Sequence, residues 1–157
     1  MSHANRAAGL RPDGIASAAG LAAAAAIHAV WASGSSWPAS DRDELADLVV
    51  GTRPMPGQSL IWAVTGLIAG AAAVVAADAG LIPPLARRFP RQVRRGARTV
   101  AVVLTARGAG GLVMSGLAVG NTTELFRRSD VRLYSPLCIA LAAGIVTGRR
   151  RYLTPER

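Results

Sequence analysis

Lysine is missing from this chain altogether, and aromatic residues make up only 4% of its 157 residues. All 18 basic residues are arginine, set against 9 acids for a net charge of +9. On a soluble domain such a surplus points to nucleic acid, but no aromatics are interleaved with these arginines to stack on bases. Nucleic acid is therefore not an expected partner. Cys138 is the single cysteine, which excludes an internal disulfide and any multi-cysteine metal centre. With only His3 and His28 to add, a structural zinc site lacks a ligand set, and no metal is expected. There is no dinucleotide fingerprint, phosphate loop, nucleophile elbow or His-Glu-x-x-His pattern, so no cofactor is expected either.

What the chain has in their place is apolar length. Hydrophobic residues make up 51% of it, mostly Ala, Val, Leu and Ile, accompanied by 17 glycines. Four apolar segments can be drawn, at residues 14–34, 59–81, 99–119 and 131–148. A helix of about 20 residues crosses the hydrocarbon of a bilayer, and the first three segments meet that length. The fourth is harder to bound. It either begins near Val131, which places Pro136 inside the helix and predicts a kink, or starts with Ser135 as cap and Pro136 as first helical residue. The length requirement favours the kink. The expected fold is all-α: an integral-membrane four-helix bundle, one transmembrane domain over residues 1–157. Small residues at four-residue spacing, Gly66 and Gly70, Gly116 and Gly120, Gly144 and Gly148, suit close helix packing in lipid.

Arginine placement sets the orientation, because positively charged short loops stay on the cytoplasmic side. Arg6 and Arg11, the six arginines from Arg87 to Arg98, and Arg149, Arg150, Arg151 and Arg157 put 12 on one side. The other side has five, Arg42, Arg53, Arg127, Arg128 and Arg132, together with Asp41, Asp43, Glu44 and Asp47. Both termini should face the cytoplasm, in a multi-pass protein of the cell inner membrane whose basic ends attract anionic head groups. A rival reading makes the first segment a cleaved secretory signal, with Ala32, Ser33 and Gly34 as the small residues after the apolar run. Its length, and His28 and Trp31 at its end, weigh against cleavage.

Polar side chains inside these segments are few. Arg107 lies near the middle of the third, where an unsheltered guanidinium costs roughly several kcal/mol and must be received by a pocket, water or a partner. Gly108, Gly110 and Gly111 would open space beside it. Asp78, near one end of the second segment, and Asp130, at the start of the fourth, are its candidate counter-ions, and Asp130 is equally readable as a plain helix N-cap. His28 and Trp31 are three apart and share a face at the external end of the first helix. His28 reads as a packing residue or as a proton-transfer group, and Trp37 as an interfacial anchor. Asp130, Tyr134 and Cys138 are spaced i, i+4, i+8 and should stack along one face of the fourth helix. Cys138 is also readable as a small buried hydrophobe, and Glu124, Arg127, Arg128 and Arg132 as a solvated connection.

The His28, Trp31, Gly34 stretch, Arg107 with Gly110, and the run FRRSDVRLYSPLC together resemble a family of small bacterial four-helix membrane proteins known as a domain of unknown function. In that run Phe126, Asp130, Tyr134, Ser135, Pro136, Leu137 and Cys138 fit the family pattern. The first stretch departs from it, since the family often has a second aromatic and paired glycines where this chain has Val30, Ser33 and Ser35. The resemblance spans nearly the whole chain and implies the four-helix membrane fold and these site positions, with no assigned activity.

Taken together, the residues point to a polar pocket in the external half of the bilayer that binds a small lipophilic ligand and is equipped to process it. His28, Arg107, Asp130 and Tyr134 are the candidate catalytic groups, with Arg107 holding an anionic or carbonyl group during acid–base work. Trp31, Trp37 and Cys138 are candidate ligand contacts. The alternatives are a non-catalytic scaffold or subunit in which Arg107 and an acid lock the helix register, and a small transporter working as a dimer. The bilayer is the expected partner, with a homo-oligomer or a second membrane protein compatible with the sequence.

Overall fold

A computed structural model describes residues 10–153, with side chains described up to residue 148. The arginines counted at Arg6, Arg149, Arg150, Arg151 and Arg157, and His3, fall outside the described positions or side chains. Among the described residues the structure is all helical. The long elements are α1 (Pro12–Ala32), α3 (Gln58–Asp78), α5 (Pro90–Gly116) and the run formed by α6 (Glu124–Ser129), a π-helical turn (Asp130–Tyr134) and α7 (Ser135–Leu153). Two short helices, α2 (Arg42–Val49) and α4 (Pro83–Arg88), lie in the connections.

Local signals explain where these helices begin and end. Pro12 and Pro90 open α1 and α5, where a missing N–H costs nothing, and Asp13 faces the positive end of the α1 dipole. Gly80, at φ +92°, closes α3, with Leu81 N–H returning to the Ala76 carbonyl at 2.9 Å. The end of α5 uses the same turn without a glycine, since Ala118 takes φ +54°.

The four long helices pack as a ring in the order α3, α1, α7, α5, each antiparallel to its neighbours. Only 17% to 28% of the apolar window of each span is buried inside the protein, so most of the apolar surface points outward. Leu67, Val102 and Leu117 are among the exposed side chains. Four helices long and apolar enough to cross a bilayer, with apolar exteriors, make this a multi-pass membrane protein.

The core is built from small residues near the end of the bundle where α1 begins and α3 ends. Ala18, Leu21, Ala72, Val75, Ala97, Ala101 and Ile145 form the buried cluster. Backbones come close there: a Cβ on Gly20 would lie 2.6 Å from Leu141, and one on Gly96 2.8 Å from Val74. Of the small pairs expected to mediate packing, Gly144 and Gly148 lie against α1, whereas Gly66, Gly70, Gly116 and Gly120 have open space around them.

The opposite end carries a cap. Asp41 opens α2 by accepting from Glu44 N–H at 2.8 Å, and the helix buries Leu45 and Ala46. Arg42 reaches the Trp31 carbonyl at the end of α1, and Thr123, the N-cap of α6, donates its hydroxyl to the Asp47 carbonyl at 2.6 Å. The first connection is thus a lid tied to α1 and α6. The fourth span runs from Glu124, earlier than the Val131 start read from the sequence. Glu124 to Arg132 is exposed at Glu124, Arg128 and Arg132 as expected, but it is helical and not an irregular connection, because Thr123 caps it and Glu124 pairs with Arg127 and Arg128 one turn on.

Candidate functional site

Pro136 lies inside this last span, where it lacks an N–H and its ring would clash with the carbonyl four residues back. The helix accommodates it by widening just ahead: Ser135 N–H bonds to the Asp130 carbonyl, five residues earlier. That extra residue in the turn changes which side chains share a face. Ser135 now follows Asp130, donating its hydroxyl to Asp130 Oδ1 at 3.1 Å. The stacking expected for Asp130, Tyr134 and Cys138 assumes an unbroken α-helix, and the π turn breaks it. Tyr134 instead points its ring at Phe126, with centroids 6.3 Å apart, and its hydroxyl donates to the Leu48 carbonyl of the lid at 3.4 Å.

Asp130 is the counter-ion of Arg107. Arg107 Nη2 lies 2.8 Å from Asp130 Oδ1, Ser115 donates to Asp130 Oδ2 at 2.6 Å, and Arg107 Nη1 is 3.4 Å from Ser135 Oγ. The carboxylate is 1% exposed, and both of its oxygens are engaged. Asp78, the other candidate, pairs with Arg11 at 3.2 Å at the terminal end of the bundle. Gly111 makes the cluster possible, since a Cβ there would collide with Ser135 Oγ and Arg107 and lie 2.8 Å from Asp130 Oδ2. Gly108, a turn earlier, allows the same close approach against Ile139 and the Ser135 carbonyl. These two glycines bring α7 close to α5; they do not open space beside the guanidinium.

Space does open beside this cluster, and Gly111, Ser115 and Asp130 border it together with Arg107. A cavity of about 470 Å³ is bounded by Ala106, Arg107, Gly110 and Met114 of α5, Val119, Gly120 and Thr122 of the following loop, Phe126 of α6 and Val50 of the lid. Arg107 is 44% exposed, and it and Asp130 are the charged residues that line it. Counting back nine residues from Gly116 at a rise of about 1.5 Å per residue puts Arg107 roughly 14 Å below the end of α5. Gly110 has nothing within 4 Å of its Cβ position and borders open volume.

The remaining sequence candidates are not among the residues that line this cavity. His28 donates from Nδ1 to the Ala24 carbonyl at 2.8 Å, and its ring lies 4.9 Å from that of Trp31. Trp31 donates from Nε1 to the Trp37 carbonyl at 2.7 Å, while the Trp37 side chain is exposed. Cys138 is half-buried on α7. Ser115 is the residue that sequence reasoning misses, although Arg107, Gly111 and Ser115 stand at i, i+4, i+8 and so share a face. Outside the spans, Asp47 is held below the usual carboxylate range by its hydrogen bond and charge contact with Arg53, and Glu44 by hydrogen bonds from Ser40. Among the described residues, no group of three or more His, Cys, Asp or Glu side chains converges as a metal site would.

Neither a curated protein nor a solved structure gives a significant match to this chain. A family model does match it over residues 21–145, a stretch that contains every residue of the cavity, the ion pair and the lid. The chain belongs to that family, described as "Protein of unknown function (DUF3995)".

Proposed function

We propose that this is an inner-membrane protein, with both termini in the cytoplasm, that binds a small lipophilic ligand in the cavity beside Arg107. The orientation rests on the arginine bias of the terminal end, which puts the lid and the cavity on the external side. One observation carries the binding reading: Arg107 is fixed to its counter-ion at 2.8 Å and is still 44% exposed, with the pair bordering open volume. A guanidinium placed only to bridge two helices gains nothing from an adjacent void in lipid, where lost contacts and an unsatisfied donor both cost free energy. The volume is in the range of about 300–1,000 Å³ common for small-molecule sites, with apolar walls and few polar groups.

Binding is favoured over turnover. The groups nominated for acid–base work do not converge, because His28 and Tyr134 are not among the residues that line the cavity, and Asp130 is tied to Arg107 at 2.8 Å. In this reading His28, Trp31 and Tyr134 brace the lid and the outer end of the bundle. The scaffold alternative draws on the same pair, because a 1% exposed aspartate tied to an arginine and two serines is a strong register lock.

The decisive experiment compares the wild type with the double substitution Arg107→Leu/Asp130→Leu, which removes both charges together and leaves no buried ion unpaired. Mass spectrometry of lipophiles that co-purify in mild detergent should find a bound species in the wild type and lose it in the inserted double variant. A double variant that keeps the same species at the same occupancy defeats the pocket reading and leaves the lock.

A further inference from the structure

Resting on that pocket reading, we infer that the cavity selects uncharged lipophiles bearing a carbonyl acceptor and rejects carboxylates of the same chain length. The first reason is electroneutrality. Arg107 and Asp130 are the charged residues that line the cavity, and they already compensate one another at 2.8 Å. An anionic head would add a second negative charge to a site whose only cation is committed, between apolar walls. There the cost of desolvating an ion exceeds what a shared partner returns. A cationic head fares no better beside the guanidinium.

The second reason is the donor and acceptor inventory. Asp130 borders the cavity but is 1% exposed and already accepts from Arg107, Ser115 and Ser135, so most of its acceptor capacity is taken. The Ser115 hydroxyl proton is spent on Asp130. Besides the Thr122 hydroxyl at the loop, what remains is the set of Arg107 N–H groups that Asp130 and Ser135 do not take, and arginine has donors only. A ligand that meets this surface must bring an acceptor. Ala106, Met114, Val119 and Phe126 then supply apolar contact for the body of the molecule.

Methyl palmitate and palmitate test this directly, because they share a chain and differ in the charge of the head. Equilibrium binding of each to the full chain in nanodiscs, in alkaline buffer where the acid is ionised, should favour the ester by at least about tenfold. The infrared carbonyl stretch of the bound ester should fall to lower frequency, as hydrogen bonding to Arg107 requires, and Arg107→Leu/Asp130→Leu should abolish that shift. Asp130→Asn leaves the guanidinium uncompensated and should reverse the preference toward palmitate; if that variant does not accumulate, the wild-type ratio alone decides. Palmitate binding as tightly as the ester to the wild type overturns the charge argument while leaving the pocket standing. If neither probe binds in a way that depends on Arg107 and Asp130, this inference falls, and the co-purification experiment judges the pocket on its own.

Discussion

Two arginine–aspartate pairs stand at opposite ends of this bundle, and they differ in what surrounds them. Arg11 and Asp78, 3.2 Å apart, join the start of α1 to the end of α3 in a crevice with no room for a water-sized guest. Gly14, Gly148, Ala79 and Ile145 close it. Arg107 and Asp130, 2.8 Å apart, join α5 to the π turn and border about 470 Å³ of open volume. Both aspartates are buried, so burial of an acid does not by itself require a void. The terminal pair shows that this sequence can seal a guanidinium with glycine and alanine. Leaving the second one half open is therefore a property of the cap half, where the lid and the α5–α6 loop hold the walls apart.

The largest expected effect comes from breaking each pair from the arginine side. Arg107→Leu strands a carboxylate that is 1% exposed inside the fourth span, and removing one partner of a buried pair costs about 3–5 kcal/mol. Arg11→Leu removes one partner of Asp78 at the end of α3, where interfacial water can reach the opened site, for about 1–3 kcal/mol. Thermal unfolding in detergent should rank the two in that order. Equal losses would mean that depth and exposure do not separate the pairs.

Glycine substitutions sharpen the contrast between the flanks of α5. Gly111→Ala forces a methyl group into Ser135, Arg107 and Asp130, and overpacking of this kind costs about 1–3 kcal/mol. Gly110→Ala, one residue away, meets nothing within 4 Å and removes a flexible residue from a helix, for a gain of about 1 kcal/mol. The two variants should move stability in opposite directions, and Gly110→Ala should also weaken ligand binding by intruding on the cavity. Ala118→Gly belongs with them as a smaller test. Relieving a left-handed alanine at the end of α5 should stabilise the protein by about 1 kcal/mol, read as a higher unfolding midpoint.

The same contrast explains which features are legible in the sequence. Four spans and a sheltered Arg107 follow from run length and the cost of an ion in lipid, both of which are local. The choice between Asp78 and Asp130 is not local, because it depends on the register of helices far apart in sequence. Asp130 and Ser135 acquire a common face only through the π turn, and an α-helical period predicts Tyr134 in that place. Other features are within reach of the sequence. Ser115 falls on the Arg107 face by simple i, i+4, i+8 counting, and Thr123 ahead of Glu124, with Arg128 four residues on, is a helix start that its charge disguises as a loop.

The lid offers the smallest and most separable effect, because its ionised groups lie outside the spans. Asp47 and Glu44 both have carboxyl groups held below their ordinary range, by Arg53 and by Ser40. A depressed value in the folded state means that their contribution is complete above the ordinary carboxylate range and fades as the pH falls through the lower folded values. The window is acidic of about pH 4. Both groups are solvent-facing, so the effect should be local loosening, not unfolding. Hydrogen exchange at α2 should accelerate over that window while the terminal core around Ala97 and Val75 stays protected. The Thr123 to Asp47 carbonyl bond and the Tyr134 to Leu48 carbonyl bond involve no ionised group and should keep the lid tethered. A lid that detaches fully in acid would show that its ion pairs, not these two tethers, hold it over the cavity.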